Sequence, residues 1–194
     1  MSRYDEIIAY IKPYLEEKFA KSCAELEGKM QVSETDFSLL CLYPFIEIFN
    51  VAHELRLKQE KESFAYLCIS FLRSSFLTKN HQLRLDLYDE SYILDENPIT
   101  GYWDVPLLFD GFERDVDELT KRLRTEFVRL QSAEMDCVRL TYSDYYITIA
   151  HKLCIELIDP ITKLLSVLHP EMSCKILFGE YWGQMTQLYP EGEQ

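Results

Sequence analysis

The stretch His81-Gln-Leu-Arg-Leu-Asp-Leu-Tyr-Asp-Glu-Ser-Tyr-Ile-Leu-Asp-Glu-Asn-Pro-Ile-Thr-Gly-Tyr-Trp-Asp-Val-Pro106 decides the fold class. Leu83, Leu85 and Leu87 alternate with Arg84, Asp86 and Tyr88. That period of two is the signature of a half-buried strand. Tyr92-Ile93-Leu94 reads as a second short strand, and Asn97-Pro98 and Thr100-Gly101 read as turns. The residues leading into Pro106 are extended or turned, because a residue before proline avoids the helical region. Two strands alone are marginal in water, so this β excursion over residues 82–106 must pack on helices.

Working outward, the apolar period changes to 3.6 on both sides. Ser2 and Asp5 give a capping signal ahead of Ile7, Ile8, Ile11, Leu15, Phe19, Cys23 and Leu26; Pro13 predicts a kink and Gly28 a stop. A second capping signal at Ser33 and Asp36 precedes Phe37, Leu40, Cys41, Phe45, Ile48, Phe49 and Ala52, with a kink expected at Pro44. Phe64, Leu67, Cys68, Phe71, Leu72 and Phe76 predict a third helix.

After the excursion, Val116, Leu119, Leu123 and Phe127 predict a helix opening at Asp110, with Glu113 at the capping-box position. A long helical element is expected from about Ser132 to His169, with Tyr142 through Leu168 at helical spacing, and Pro160 should kink or break it. Phe178, Trp182, Met185 and Leu188 predict a last short helix, weakened by Gly179 and Gly183. The expected architecture is therefore mainly α: a single domain, residues 1–194, of five or six helices with a small β excursion near residues 82–106. Its parts are a helical half over 1–78, the acidic excursion, and a helical half over 110–188.

The 194 residues are 47% hydrophobic and carry a net charge of −13. This composition suits a globular chain that needs neither metal nor disulfide to fold. Charge of this sign repels nucleic-acid phosphates and anionic lipid surfaces, and favours a basic partner or simple solubility. It is concentrated: residues 86–118 hold eleven acids and one base, Arg114, for a net −10.

The six cysteines, at 23, 41, 68, 137, 154 and 174, form no CxxC pair. The first ten residues carry acids where a secretory leader needs bases, and the apolar stretch over residues 37–52 is interrupted by Pro44, Glu47 and Asn50. The expectation is a cytoplasmic protein with reduced thiols and no membrane span.

Chemical motifs are missing from the sequence. It holds no HExxH, no ExxH pair, no GxGxxG, no GxxxxGK[ST] and no GxSxG. His53, His81, His151 and His169 are isolated, and Asp86, Asp89, Asp95 and Glu96 lack calcium-loop spacing. No catalytic, cofactor or metal residue is assigned, and no cofactor is expected.

What stands out is the mixing of rings with acids. Asp86, Tyr88, Asp89, Glu90, Tyr92, Asp95, Glu96, Tyr102, Trp103 and Asp104 form the candidate partner-binding set. Aromatic residues anchor interfaces and carboxylates steer a basic partner, although the same rings also serve to glue the excursion to helices. The expectation is a non-enzymatic protein-binding module, of inhibitor, immunity or adaptor type, for a partner with a basic surface. The alternatives are a DNA-mimic inhibitor of a nucleic-acid-binding protein and a carboxylate-based, cation-dependent enzyme.

Overall fold

The computed structural model describes residues 2–32, 34–61, 63–105, 108–168 and 174–190. Among them are six α-helices and a five-stranded sheet, so the chain is mainly α-helical with a small β part. The helices are α1 (Arg3–Val32), α2 (Glu34–Leu57), α3 (Arg73–Thr78), α4 (Phe112–Glu126), α5 (Ser132–Glu156) and α6 (Ile158–Leu168). The strands are β1 (Tyr66–Phe71), β2 (Leu83–Tyr88), β3 (Ile99–Trp103), β4 (Lys175–Glu180) and β5 (Met185–Tyr189). The chain divides into two compact units, each assembled from three stretches. One comprises Met1–Phe37, Arg73–His81 and Pro106–Ala150; the other comprises Ser38–Leu72, Gln82–Val105 and His151–Gln194.

The first unit is helical. Its entry is a reciprocal cap: the Asp5 backbone N–H donates to Ser2 Oγ at 3.2 Å, and the Ser2 N–H donates to Asp5 Oδ2 at 2.8 Å. Helix α1 runs on through Gly28 to Val32. No glycine in the described residues has positive φ, so Gly28 lacks the left-handed turn that stops a helix and only weakens it. Ile7, Ile11 and Leu15 of α1 are buried, as are Val116, Leu119 and Leu123 of α4. Around Phe112, the rings of Phe76, Tyr142 and Tyr146 lie at centroid distances of 5.7, 5.5 and 5.1 Å.

The second unit holds the sheet, in the order β3-β2-β1-β4-β5. All neighbours pair antiparallel except β1 and β4, which are parallel. One face is apolar and buried: Leu67, Ile69 and Phe71, Leu83, Leu85 and Leu87, then Ile99, Trp103, Ile176 and Phe178. Trp103 is 1% exposed and meets Phe45 of α2 edge-on at 5.2 Å. The other face carries Tyr66, Cys68 and Ser70, Arg84, Asp86 and Tyr88, and Thr100 and Tyr102.

Three segments differ from the sequence reading. Residues 66–71 are the central strand, not part of a third helix. Five of its six residues are buried, so its alternation is shallow, and Leu67, Cys68 and Phe71 also satisfy helical spacing. Residues 175–189 form a hairpin, not a last helix, and Gly179 lies where the opposing backbone leaves no room for a Cβ. Tyr92–Leu94 is a 3-10 turn, and the strand pairing with β2 is Ile99–Trp103.

The break expected at Pro160 occurs just before it, between α5 and α6. Pro160 then stands in the first turn of α6, where its missing N–H leaves no bond unmade. The capping signal at Ser33 lies outside the described residues, as does Pro106.

Gly179 is a steric requirement. A Cβ there would lie 2.0 Å from the Gln184 carbonyl oxygen and 2.8 Å from Met185 Cα, both backbone atoms. Gly101 has nothing within 4 Å of the same atom. Gly179→Ala is expected to cost about 2–3 kcal/mol in urea unfolding, and Gly101→Ala to change stability by less than about 0.5 kcal/mol.

Candidate functional site

The ten residues singled out in the sequence all belong to the second unit, but they do not form one surface. The alternation of β3 separates its two rings. Tyr102 pairs with Arg84 and is 52% exposed, while Trp103 pairs with Leu83 and is in the core. Asp86 is 0% exposed. Its carboxylate accepts from Arg84 Nε at 3.0 and 2.7 Å and from the Thr100 hydroxyl at 2.6 Å. Asp95 is likewise internal: it takes the Lys61 ammonium and the backbone N–H groups of Asp89 and Asn97, each at 3.0 Å for the backbone pair. Burial opposes its charge, but these donors hold its carboxyl below the ordinary range. Asp89 shares Lys61 at 3.9 Å. Glu90, Glu96 and Asp104 are exposed, with no ion-pair partner among the described residues.

The sheet brings Tyr88 and Tyr92 together with residues the sequence reading had placed on helices. A cavity of about 150 Å³ opens on the polar face. Cys68 and Ser70 of β1 line it with Tyr88 of β2. Tyr92 and Ile93 of the 3-10 turn, and Tyr181 and Trp182 of the β4–β5 turn, form further walls with Met185. Tyr88 and Tyr92 meet edge-on at 5.6 Å, and Tyr181 and Trp182 stand at 89° to each other at 5.8 Å. Tyr92 and Trp182 both have left-handed backbones, with φ of 55° and 61°. That region is costly for bulky residues and is occupied where the surroundings impose it. The Arg84 guanidinium lies 4.4 Å from the centroid of Tyr181.

The cavity has little nucleophilic capacity. Burial pushes the Cys68 thiol up to about 12, against a hydrogen bond from Tyr92, so it stays a thiol at neutral pH. Burial also pushes the Tyr92 phenol up to about 12, and that of Tyr88 further. Among the described residues, no His, Asp or Glu lines the cavity. Among the described residues there is no group of three His, Cys, Asp or Glu that could hold a metal ion.

The remaining acids of the 86–118 cluster fall in the first unit. Asp115 is buried and accepts from Ser22 Oγ and the Tyr142 hydroxyl, both at 2.7 Å. Glu113 is not a cap: the N-cap position is Gly111, with no side-chain hydrogen bond. Its carboxylate takes the Arg139 guanidinium, Lys79 Nζ at 3.6 Å and His81 Nε2 at 2.6 Å. Glu118 pairs with Lys18. A second cleft, of about 210 Å³ between α1 and α4, is lined by Tyr14, Glu17, Lys18, Glu118 and Arg122. Its charges largely engage one another: Lys18 takes Glu118, and Arg122 lies 3.7 Å from the Tyr14 centroid.

No protein-family model, curated protein or solved structure matches the chain. Among the described residues, no helix is long and apolar enough to cross a membrane.

Two predictions follow from these networks. Asp86→Ala leaves Arg84 without its carboxylate and is expected to cost about 3 kcal/mol in urea unfolding. The double change Asp86→Leu with Arg84→Met should recover most of that loss, since an apolar pair replaces an ionic one at little net cost. The second concerns His81, whose Nδ1 is buried without a partner. Burial, with Arg139 and Lys79 beside it, lowers its pKa from 6.5 to about 4. The unfolded chain therefore binds the proton first. Stability from this group is complete above pH 6.5 and lost as pH falls toward 4. The wild type should lose about 2–4 kcal/mol more than His81→Gln across that window, as read from urea midpoints.

Proposed function

We propose that this protein is a non-enzymatic binding module that engages a partner with a basic surface through the tyrosine-bearing face of its sheet. The observation that carries this reading is the ring-walled cavity, whose lining residues Tyr88 and Tyr92 stand in the same chain segment as exposed carboxylates with no ion-pair partner among the described residues. An apolar recess with polar ring tips suits an anchoring side chain, and exposed carboxylates around it suit steering by opposite charge. Glu90 lies between Tyr88 and Tyr92 in the chain, and Asp104 follows directly on β3.

The two alternatives have less behind them. A phosphate mimic needs free carboxylates along an extended face. Here Asp86, Asp95, Glu113, Asp115 and Glu118 each have an internal donor. A carboxylate enzyme needs acids in its cleft, and the ring-walled cavity has none among the described residues of its lining. A cytoplasmic setting agrees with six cysteines that are all free thiols, four of them buried.

The test uses only exposed acids. Glu90→Gln, Glu96→Gln and Asp104→Asn together should leave the melting temperature unchanged while weakening capture of a basic partner from host lysate by about tenfold or more. Wild-type binding should weaken steeply from 50 to 300 mM salt. Complex formation that is indifferent to both the substitutions and the salt would overturn the reading.

A further inference from the structure

We propose that the cavity on the tyrosine-bearing face is an aromatic cage for a quaternary ammonium group, the trimethylated side-chain amine of a lysine in a basic protein segment. This rests on the binding-module reading and names the chemistry of its anchor. Four rings, Tyr88, Tyr92, Tyr181 and Trp182, line a recess of about 150 Å³. A space of that order accepts a guest the size of benzene, and so a trimethylammonium group. The ring planes differ widely, by 67° between Tyr88 and Tyr92 and by 89° between Tyr181 and Trp182, so a guest meets walls of several orientations. Ring faces attract cations through their quadrupole, most strongly for tryptophan. The same sheet face already uses this contact twice: Arg84 lies over Tyr181 at 4.4 Å, and Lys175 over Tyr66 at 5.6 Å.

The lining selects for methylation. A free ammonium brings three N–H donors and a tight hydration shell, and must find acceptors to leave water. Among the described residues no carboxylate lines the cavity, and the acceptors there are the neutral hydroxyls of Ser70 and the tyrosines, weaker partners for an ammonium than a charged group. The nearby Asp86 carboxylate is already occupied by Arg84 and Thr100. A quaternary ammonium has no N–H to satisfy, so it gives up little on entry and keeps its attraction to the rings. Tyr92 and Tyr88 remain neutral phenols, so the cage discriminates by fit and polarisation and not by a fixed anion.

The backbone agrees with this use. Tyr92 and Trp182, on different turns, both hold left-handed φ values beside the same cavity, and Trp182 is 74% exposed at its mouth. Asp89, which shares Lys61, and the exposed Glu90 fall between Tyr88 and Tyr92 in the chain. They favour a lysine- and arginine-rich segment over a phosphocholine headgroup, whose phosphate they repel.

Calorimetry on the full chain tests the proposal with three probes: a short Lys/Arg-rich peptide bearing one trimethyllysine, its unmethylated twin, and phosphocholine. The trimethylated peptide is expected to bind about tenfold tighter than its twin, and phosphocholine weaker than either. Trp182→Ala, at an exposed turn position, should abolish the methylation preference, and Tyr92→Phe, which keeps the ring, should retain it. Equal binding of the two peptides overturns the cage and leaves the basic-partner reading standing. Binding by neither peptide overturns both. Tighter binding of phosphocholine overturns the choice of a protein segment.

Discussion

Hydrogen bonding of β1 along both of its edges is the constraint on which the rest of the second unit depends. It pairs antiparallel with β2 and parallel with β4, so its register fixes two neighbours at once. In that register Leu67, Ile69 and Phe71 share a face with Leu83, Leu85, Leu87, Ile176 and Phe178. A slip of one residue would turn Cys68 and Ser70 into the core and expose three large apolar side chains. The polar members of β2 make the same demand: Arg84 and Asp86 can pair on the other face, whereas an apolar layer would leave their charges unsolvated. The side chains that wall the cavity stand where they do because this pairing has one acceptable alignment.

This account explains which parts were legible in the sequence. Strand β2 was readable because only one of its faces is apolar, so Leu83, Leu85 and Leu87 alternate with polar neighbours. The long helices were readable because each buries one stripe. Strand β1 was hidden because its alternation is shallow: five of its six residues are buried, and Tyr66 and Cys68, opposite Leu67, Ile69 and Phe71, are themselves compatible with an apolar stripe. Its β-branched and aromatic content was the remaining signal, and it is weak over six residues. The β4–β5 hairpin was mistaken for a helix because Phe178, Trp182 and Met185 happen to fall three and four apart. Gly179 and Gly183 were the corrective: they mark a close strand approach and a turn more naturally than a weakened helix.

The candidate site was half legible for the same reason. The coincidence of Tyr88, Tyr92 and Tyr102 with acids is local in sequence and could be seen there. Tyr181, Trp182, Cys68 and Ser70 join the site only through strand pairing, which no short window contains. The alternation rule separates Tyr102 from Trp103, but only once the strand is placed at Ile99–Trp103 and not at Tyr92–Leu94. Glu113 shows the limit of motif reading in the other direction. It has capping-box spacing, yet Arg139, Lys79 and His81 take its carboxylate because they come from distant parts of the chain.

The acidic excess takes on a different meaning once these pairs are known. Several bases are committed internally: Lys61 to Asp95 and Asp89, Arg84 to Asp86, Lys18 to Glu118, and Arg139 to Glu113. Each such base neutralises an acid the fold has already drawn in. In the second unit, Glu90, Glu96 and Asp104 are left exposed and without a matching cation among the described residues. Because the screening length near physiological salt is about 8 Å, these charges act over the neighbouring surface and not across the whole molecule. A field of that range beside a ring-walled recess draws a cation toward the rings, whose contact energy grows as water is excluded. Attraction by the carboxylates and retention by the rings are thus two separable properties of one face, the first sensitive to salt and the second to the shape of the cation.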